Sequence, residues 1–163
     1  KHYDAMLFMS VISGRNSHYL IGEQVIAAPV VKDLGIETIA TGYILLDGGA
    51  CTTVEFMSGT RPIPTNKIDI IIAHALAGQY LGMEAIYLES GSGAQSPVTI
   101  DVVTAVREVI NIPIIIGGGI KSPETASELV KAGGSIIVTG TITEKDSSLM
   151  SEIADAVHWK KND

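Results

Sequence analysis

Three glycine-bearing segments carry the residues of this 163-residue chain best suited to chemistry. They read Tyr87-Leu88-Glu89-Ser90-Gly91-Ser92-Gly93, then Gly117-Gly118-Gly119-Ile120, then Gly140-Thr141. Each follows a short apolar run. Glu89 leaves the run Ala85–Leu88, and a carboxylate leaving a buried strand toward a polar rim is placed to act as a base. Tyr87, two residues back, falls on the same side of an extended strand. Together they suit holding and deprotonating a hydroxyl of a small phosphorylated substrate. The plainer alternative is a salt-bridged glutamate at a strand end. The second and third segments fit a phosphate cradle. Glycine lets the backbone come close, so its N–H groups can point at phosphate oxygens. A helix start near Ser122 adds positive potential. A tight strand-to-helix turn is the alternative, but three successive glycines exceed what a turn requires.

Other chemistries fit less well. Ser122 stands where G-x-G-x-x-G needs its last glycine, and the nucleotide P-loop pattern is not matched either. Ser92 is not a hydrolase nucleophile in G-x-S-x-G, because position 90 is serine. His2, His18, His74 and His158 have no metal-ligand spacing and read as surface or packing residues. Cys51 reads as a small apolar filler. Met6, Phe8 and Met9 read as core strand residues, although a barrel mouth can use such side chains to hold a hydrocarbon chain. Arg61, in Gly59-Thr60-Arg61-Pro62, is a surface charge or a phosphate partner.

The elements that must position these residues alternate five times between strand-like and helix-like runs. The strands are expected at Ala5–Ile12, Glu37–Leu46, Ala85–Leu88, Ile112–Ile116 and Ser135–Val138. Continuous apolar patterning means burial on both faces, as in a parallel sheet. Asn16 or Ser17 caps a helix running to about Lys32, with Gly35 just past it and Pro29 kinking or shortening it. Thr65 or Asn66 caps a second, closed by Gly82. A third spans roughly Thr99–Ile110 and stops before Pro113. Ser122-Pro123 opens a fourth that Gly133 ends. Asp146 or Ser147 starts the last, which runs into a lysine-bearing tail favourable to the helix dipole. Residues 43–61 break the alternation. Asp47-Gly48-Gly49 between two β-prone arms predicts a hairpin-like insertion, with a plain loop as the alternative.

Repeated β-then-α units mean an α/β fold with right-handed crossovers. A doubly wound five-stranded sheet fits the length directly. A (β/α)8 TIM barrel usually needs roughly 200–250 residues, yet barrels commonly build a phosphate site from the loops after strands seven and eight. The glycine segments favour the barrel.

Composition narrows the class. Hydrophobic residues make up 46% and charged residues 18%, enough for a sizeable core and too apolar for disorder. The net charge of −7 argues against a nucleic-acid partner. No run approaches the roughly 18 apolar residues of a transmembrane segment. One cysteine points to a reducing cytoplasm. The opening Lys1-His2-Tyr3-Asp4 does not read as a secretory leader, and it lacks an initiating Met.

At these residues the chain resembles the geranylgeranylglyceryl phosphate synthases, prenyltransferases of archaeal ether-lipid synthesis, and their heptaprenylglyceryl phosphate synthase relatives. Tyr87–Ala94 is similar to the family's YLEaGSGA signature, and Ile116–Glu124 to its GGGI-x-SPE segment. Ile137–Thr141 resembles its last-strand phosphate motif, and Ser13–Asn16 and Gly59–Pro64 resemble further family segments. The resemblance implies a (β/α)8 barrel of which residues 1–163 form a single incomplete domain covering strands four to eight. It implies that sn-glycerol 1-phosphate is held by Tyr87 to Gly93, Gly118, Gly119, Gly140 and Thr141. Glu89 is then the base that activates the glycerol hydroxyl for attack on geranylgeranyl diphosphate. Mg2+ is the implied cofactor, with ligands outside this chain, and homo-oligomers are implied as well. Two readings stay beside it: another phosphate-binding barrel enzyme of the sugar-phosphate isomerase or aldolase type, and a non-catalytic phosphate-binding fragment. The former wants a Schiff-base lysine or second acid/base residue, and Lys121 lies just past the glycine loop.

Overall fold

The computed structural model describes residues 3–158. His2 and the lysine-bearing tail lie outside them. Five strands form one parallel sheet: β1 (Ala5–Val11), β2 (Glu37–Leu45), β3 (Ala85–Glu89), β4 (Ile114–Gly117) and β5 (Ile136–Val138). Their spatial order is their sequence order. A doubly wound sheet reverses order at a switch point, and none occurs among the described strands. Sequential parallel order is that of a barrel wall.

Register explains why the strands read as unbroken apolar runs. Ile44, Leu46, Ile86, Leu88, Ile114 and Ile116 are 0% exposed and face the helices. There they meet Ile71 and Ala75 of α3 (Ile68–Tyr80) and Val102, Val103 and Val106 of α4 (Ile100–Val109). Ala126 and Leu129 of α5 (Pro123–Lys131) join the same core. The alternate residues Tyr43, Leu45, Ala85, Tyr87 and Ile115 pack on the opposite face. In β3, β4 and the C-terminal half of β2 both faces are buried, so both parities must be apolar. Each fully buried Ile or Leu contributes about 1.5–3 kcal/mol through apolar area removed from water.

Helix ends follow local chemistry where capping side chains reach. Thr99 Oγ1 accepts from the Val102 N–H (3.4 Å), and Ser122 Oγ from the Thr125 N–H (3.3 Å), with Pro123 in the first turn. Asn16 Oδ1 accepts from the His18 N–H (3.0 Å) and opens a wide π-helical turn, His18–Gly22. That turn feeds α1 (Glu23–Leu34), which Gly35 closes with φ of 57°. Pro29 does not shorten α1. The helix buries no residue, so a carbonyl left without its donor can turn to water.

The helix over 65–82 starts later than its expected caps. The Lys67 N–H donates to the Pro64 carbonyl, which spends Thr65 and Asn66 on a turn, and α3 begins without a side-chain cap. At the far end, Asp146 Oδ1 accepts from the N–H and hydroxyl of Ser148. That arrangement closes a turn, so α7 (Leu149–Val157) starts two residues late. A short α6 (Thr141–Lys145) was not legible in the sequence.

The hairpin expected over 43–61 is not formed. Leu46 bridges Ile63 in parallel, not antiparallel, and the chain between them holds α2 (Thr53–Ser58). Thr52 caps α2, its Oγ1 accepting from the Glu55 N–H at 3.1 Å. Asp47 Oδ1 takes the Gly49 N–H (2.9 Å), a local Asx turn that the Asp-Gly signal shares with hairpins. Among the described residues no helix is long and apolar enough to cross a membrane.

Candidate functional site

The C-terminal ends of β3, β4 and β5 open into a cavity of about 640 Å³. Its wall includes Tyr87, Glu89, Ser92, Gly93, Gly118, Gly119, Gly140 and Thr141. Eight of the eleven residues singled out from the sequence therefore converge. Leu88 and Ser90 do not, since strand alternation turns both side chains into the core, each 0% exposed. Gly91 is also absent from the wall; its N–H donates to Glu89 Oε1 at 2.7 Å.

Glu89 is buried at the end of β3, opposite Gly117 in register. A Cβ on Gly117 would stand 2.5 Å from Tyr87 Oη and 2.6 Å from Glu89 Oε2. The bare Cα there leaves room for the Tyr87–Glu89 pair. Burial pushes the Glu89 carboxyl above the usual carboxylate range, against the opposing hydrogen bonds from Tyr87 and Gly91. A raised carboxyl pKa makes the ionised form more basic, which suits general-base work. Burial, and then the Glu89 charge, hold the Tyr87 phenol protonated, so it acts as a donor.

The glycine loops meet this pair backbone to backbone. Gly118 has φ of 83°, and a Cβ there would lie 2.6 Å from both Glu89 Oε1 and the Gly91 nitrogen. A Cβ on Gly119 would lie equally close, at 2.6 Å, to the Ser96 carbonyl carbon and oxygen. No side chain fits at either position, which leaves bare amides lining the wall. Gly140 differs, with no atom within 4 Å of its would-be Cβ. The open space there belongs to the cavity.

Two residues of this region were missed in the sequence. Tyr43 pairs with Tyr87 across β2 and β3, the ring centroids 5.3 Å apart and tilted by 59°. Burial, followed by the nearby Glu89 charge, raises its phenol pKa. The signal was parity: Tyr43 and Leu45 share a face with Tyr87 and Glu89. Lys121 is the other. It lines the cavity, and its Nζ donates to the Gln95 carbonyl at 2.9 Å.

Beyond Tyr43 lies a second, apolar cavity of about 240 Å³. Met9, Val11 and Tyr19 wall one side, and Val54 and Met57 of α2 the other. Met9 is thus a cavity residue, 41% exposed, while Met6 and Phe8 are half-buried strand residues. Arg61 is exposed. Cys51 is exposed ahead of α2, not a core filler. His18 pairs with Glu23 at 2.6 Å, and His74 contacts the Ile70 carbonyl within its own helix. Among the described residues no three His, Cys, Asp or Glu side chains converge as a metal site.

Comparison with known proteins gives three findings. The model of the PcrB family matches residues 1–157. The geranylgeranylglyceryl phosphate synthase of Chitinophaga pinensis is 50% identical over 158 residues, which are 97% of this chain and 63% of that protein. The synthase of the same name from Methanopyrus kandleri is 49% identical over 154 residues, 94% of this chain and 64% of that protein. The chain thus spans somewhat under two thirds of the length of these relatives, which are bacterial as well as archaeal. Among solved structures, the (S)-3-O-geranylgeranylglyceryl phosphate synthase of Thermoplasma acidophilum, in complex with its substrate sn-glycerol-1-phosphate, superposes with a TM-score of 0.88 at 36% identity. That match covers 94% of this chain and 63% of the other.

Proposed function

The chain belongs to the PcrB family, and from that premise we propose that it forms strands four to eight of a (β/α)8 barrel enzyme. In this reading the enzyme joins geranylgeranyl diphosphate to the C3 hydroxyl of sn-glycerol 1-phosphate. One observation carries it: a buried glutamate of raised basicity shares a cavity with side-chain-free glycine loops.

The phosphate rests on the amides of Ser92–Gly93, Gly118–Gly119 and Gly140–Thr141, and the glycerol hydroxyl reaches Glu89. Tyr87 orients the carboxylate. Glu89 takes the hydroxyl proton as the oxygen attacks C1 of the prenyl chain. The C1–O bond to diphosphate breaks, and diphosphate leaves with its electron pair. The apolar cavity behind Tyr43 suits part of the hydrocarbon chain, and the Tyr43–Tyr87 rings divide the two compartments. Magnesium, which would neutralise the leaving group, finds no ligand cluster among the described residues. Its ligands belong, in this reading, to barrel strands outside the chain. A cytoplasmic location and a homo-oligomeric state belong to the same proposal; α1 offers an exposed apolar row, Ile26, Val30 and Leu34.

The test is prenyl transfer by wild type and Glu89→Gln. Removal of a general base is expected to lower kcat by about 10²- to 10⁴-fold, with binding of sn-glycerol 1-phosphate retained. Unchanged turnover would remove Glu89 as the base. Because burial raises the Glu89 pKa, the wild-type acid limb of kcat/KM should lie above the range of an ordinary glutamate. An acid limb at or below that range would contradict the desolvated site.

A further inference from the structure

Charge arithmetic in the 640 Å³ cavity leaves one cation facing two anions. A phosphate monoester carries about −1.5 to −2 charge at neutral pH. Glu89 adds another negative charge whenever it is ready to act as a base. Glycine amides contribute only partial charges. Among the described residues lining the cavity, Lys121 bears the only cationic side chain. It stands one residue past Gly117–Ile120, just before the Ser122 cap of α5. The Gln95 carbonyl takes one of its N–H bonds, at 2.9 Å, and so holds the ammonium at the rim. An ammonium has three N–H donors, so two remain for an incoming anion.

We propose that Lys121 supplies the counter-charge for the phosphate of the three-carbon substrate, while its bond to the Gln95 carbonyl fixes the ammonium beside the glycine loops. This inference rests on the glycerol phosphate reading and names a binding residue that reading does not contain. The same Lys121–Gln95 bond also spans the loops after β3 and β4. A purely mechanical tether is therefore the competing role, and it needs a donor but no charge.

Substitution separates the two roles. Lys121→Gln keeps a donor for the Gln95 carbonyl and removes the charge. Lys121→Met removes both, and Lys121→Arg keeps both. Calorimetric titration of inorganic phosphate and of sn-glycerol 1-phosphate is run on wild type and all three variants, at low and high salt. Both K121Q and K121M should bind each anion more weakly, by roughly fivefold at low salt for a partly exposed charge. K121R should stay near wild type. The difference should shrink at 1 M salt, where the Debye length falls to about 3 Å. Thermal unfolding of K121Q at the wild-type midpoint assigns the loss to charge and not to damage. If K121Q binds both anions as tightly as wild type, the counter-charge role is overturned and the glycerol phosphate reading survives. If wild type binds neither anion, that reading fails and the role of Lys121 fails with it.

Discussion

Two cavities of this molecule, one beside the glycine loops and one beyond Tyr43, are built on opposite principles. The larger one, at the ends of β3, β4 and β5, is made of backbone. Gly118 and Gly119 are packed so closely against Glu89, Gly91 and Ser96 that no side chain fits, and the direction of N–H groups sets what binds there. The smaller one, between β1, β2 and α2, is made of side chains, and its wall of Met9, Val11, Val54 and Met57 offers shape without direction. A phosphate needs fixed donors, and a hydrocarbon needs only dry surface. Backbone sites tolerate almost no substitution, whereas side-chain sites lose function by degrees.

The sharpest way to break this contrast is Gly118→Ala. A methyl group there collides with the Glu89 carboxylate and the Gly91 nitrogen at a φ of 83°, so phosphate affinity should fall tenfold or more. Gly140→Ala meets nothing within 4 Å and should unfold at the wild-type temperature while still weakening phosphate binding, because its methyl occupies cavity space. Equal effects on unfolding by the two variants would refute the contrast. Met57→Ser in the apolar cavity should cost about 1 kcal/mol of prenyl diphosphate binding, roughly fivefold in Kd, and leave the affinity for inorganic phosphate alone. A matching loss for phosphate would show that the compartments are one.

Two smaller effects concern stability. The folded Glu89 carboxyl holds its proton more tightly than the unfolded one, so its ionised form opposes folding above the folded pKa. Glu89→Gln should therefore melt higher than wild type at pH 7, with the gap closing as the pH falls and wild type takes up the proton. A gap independent of pH would contradict a desolvated carboxylate. Ser90 is 0% exposed, and its hydroxyl oxygen has no partner. Ser90→Ala should stabilise the chain by about 1 kcal/mol, or about 2–4 °C in Tm, with the site intact.

The same contrast explains what could be read from the sequence. The central strands were visible because both parities of a doubly buried strand are apolar, while β1 and β5, half-buried or exposed at many positions, were legible from their apolar runs alone. The phosphate side was visible because bare backbone must be written as glycine. The apolar cavity left no such mark, since Met9, Val11 and Val54 look like any core residue until the fold sets them around an empty space. The hairpin expected at 43–61 failed because Asp47-Gly48 specifies a turn and not the element after it; Thr52 and Glu55, a cap with an acidic first turn, were the better guide to α2. Leu88 and Ser90 entered the expected site through a contiguous motif, whereas an extended strand presents only every second side chain to one face. Lys121 was invisible as a cavity residue because its place depends on how far the loop carrying Gln95 reaches.

The Thr52 cap of α2 has a second role. Gly91, at φ of 99°, lies flush against the Thr52 side chain, with no room for a methyl between them. The same six-residue helix carries Val54 and Met57 into the apolar chamber. The helix thus walls the apolar chamber directly and reaches the other only through Gly91, whose amide donates to the Glu89 carboxylate.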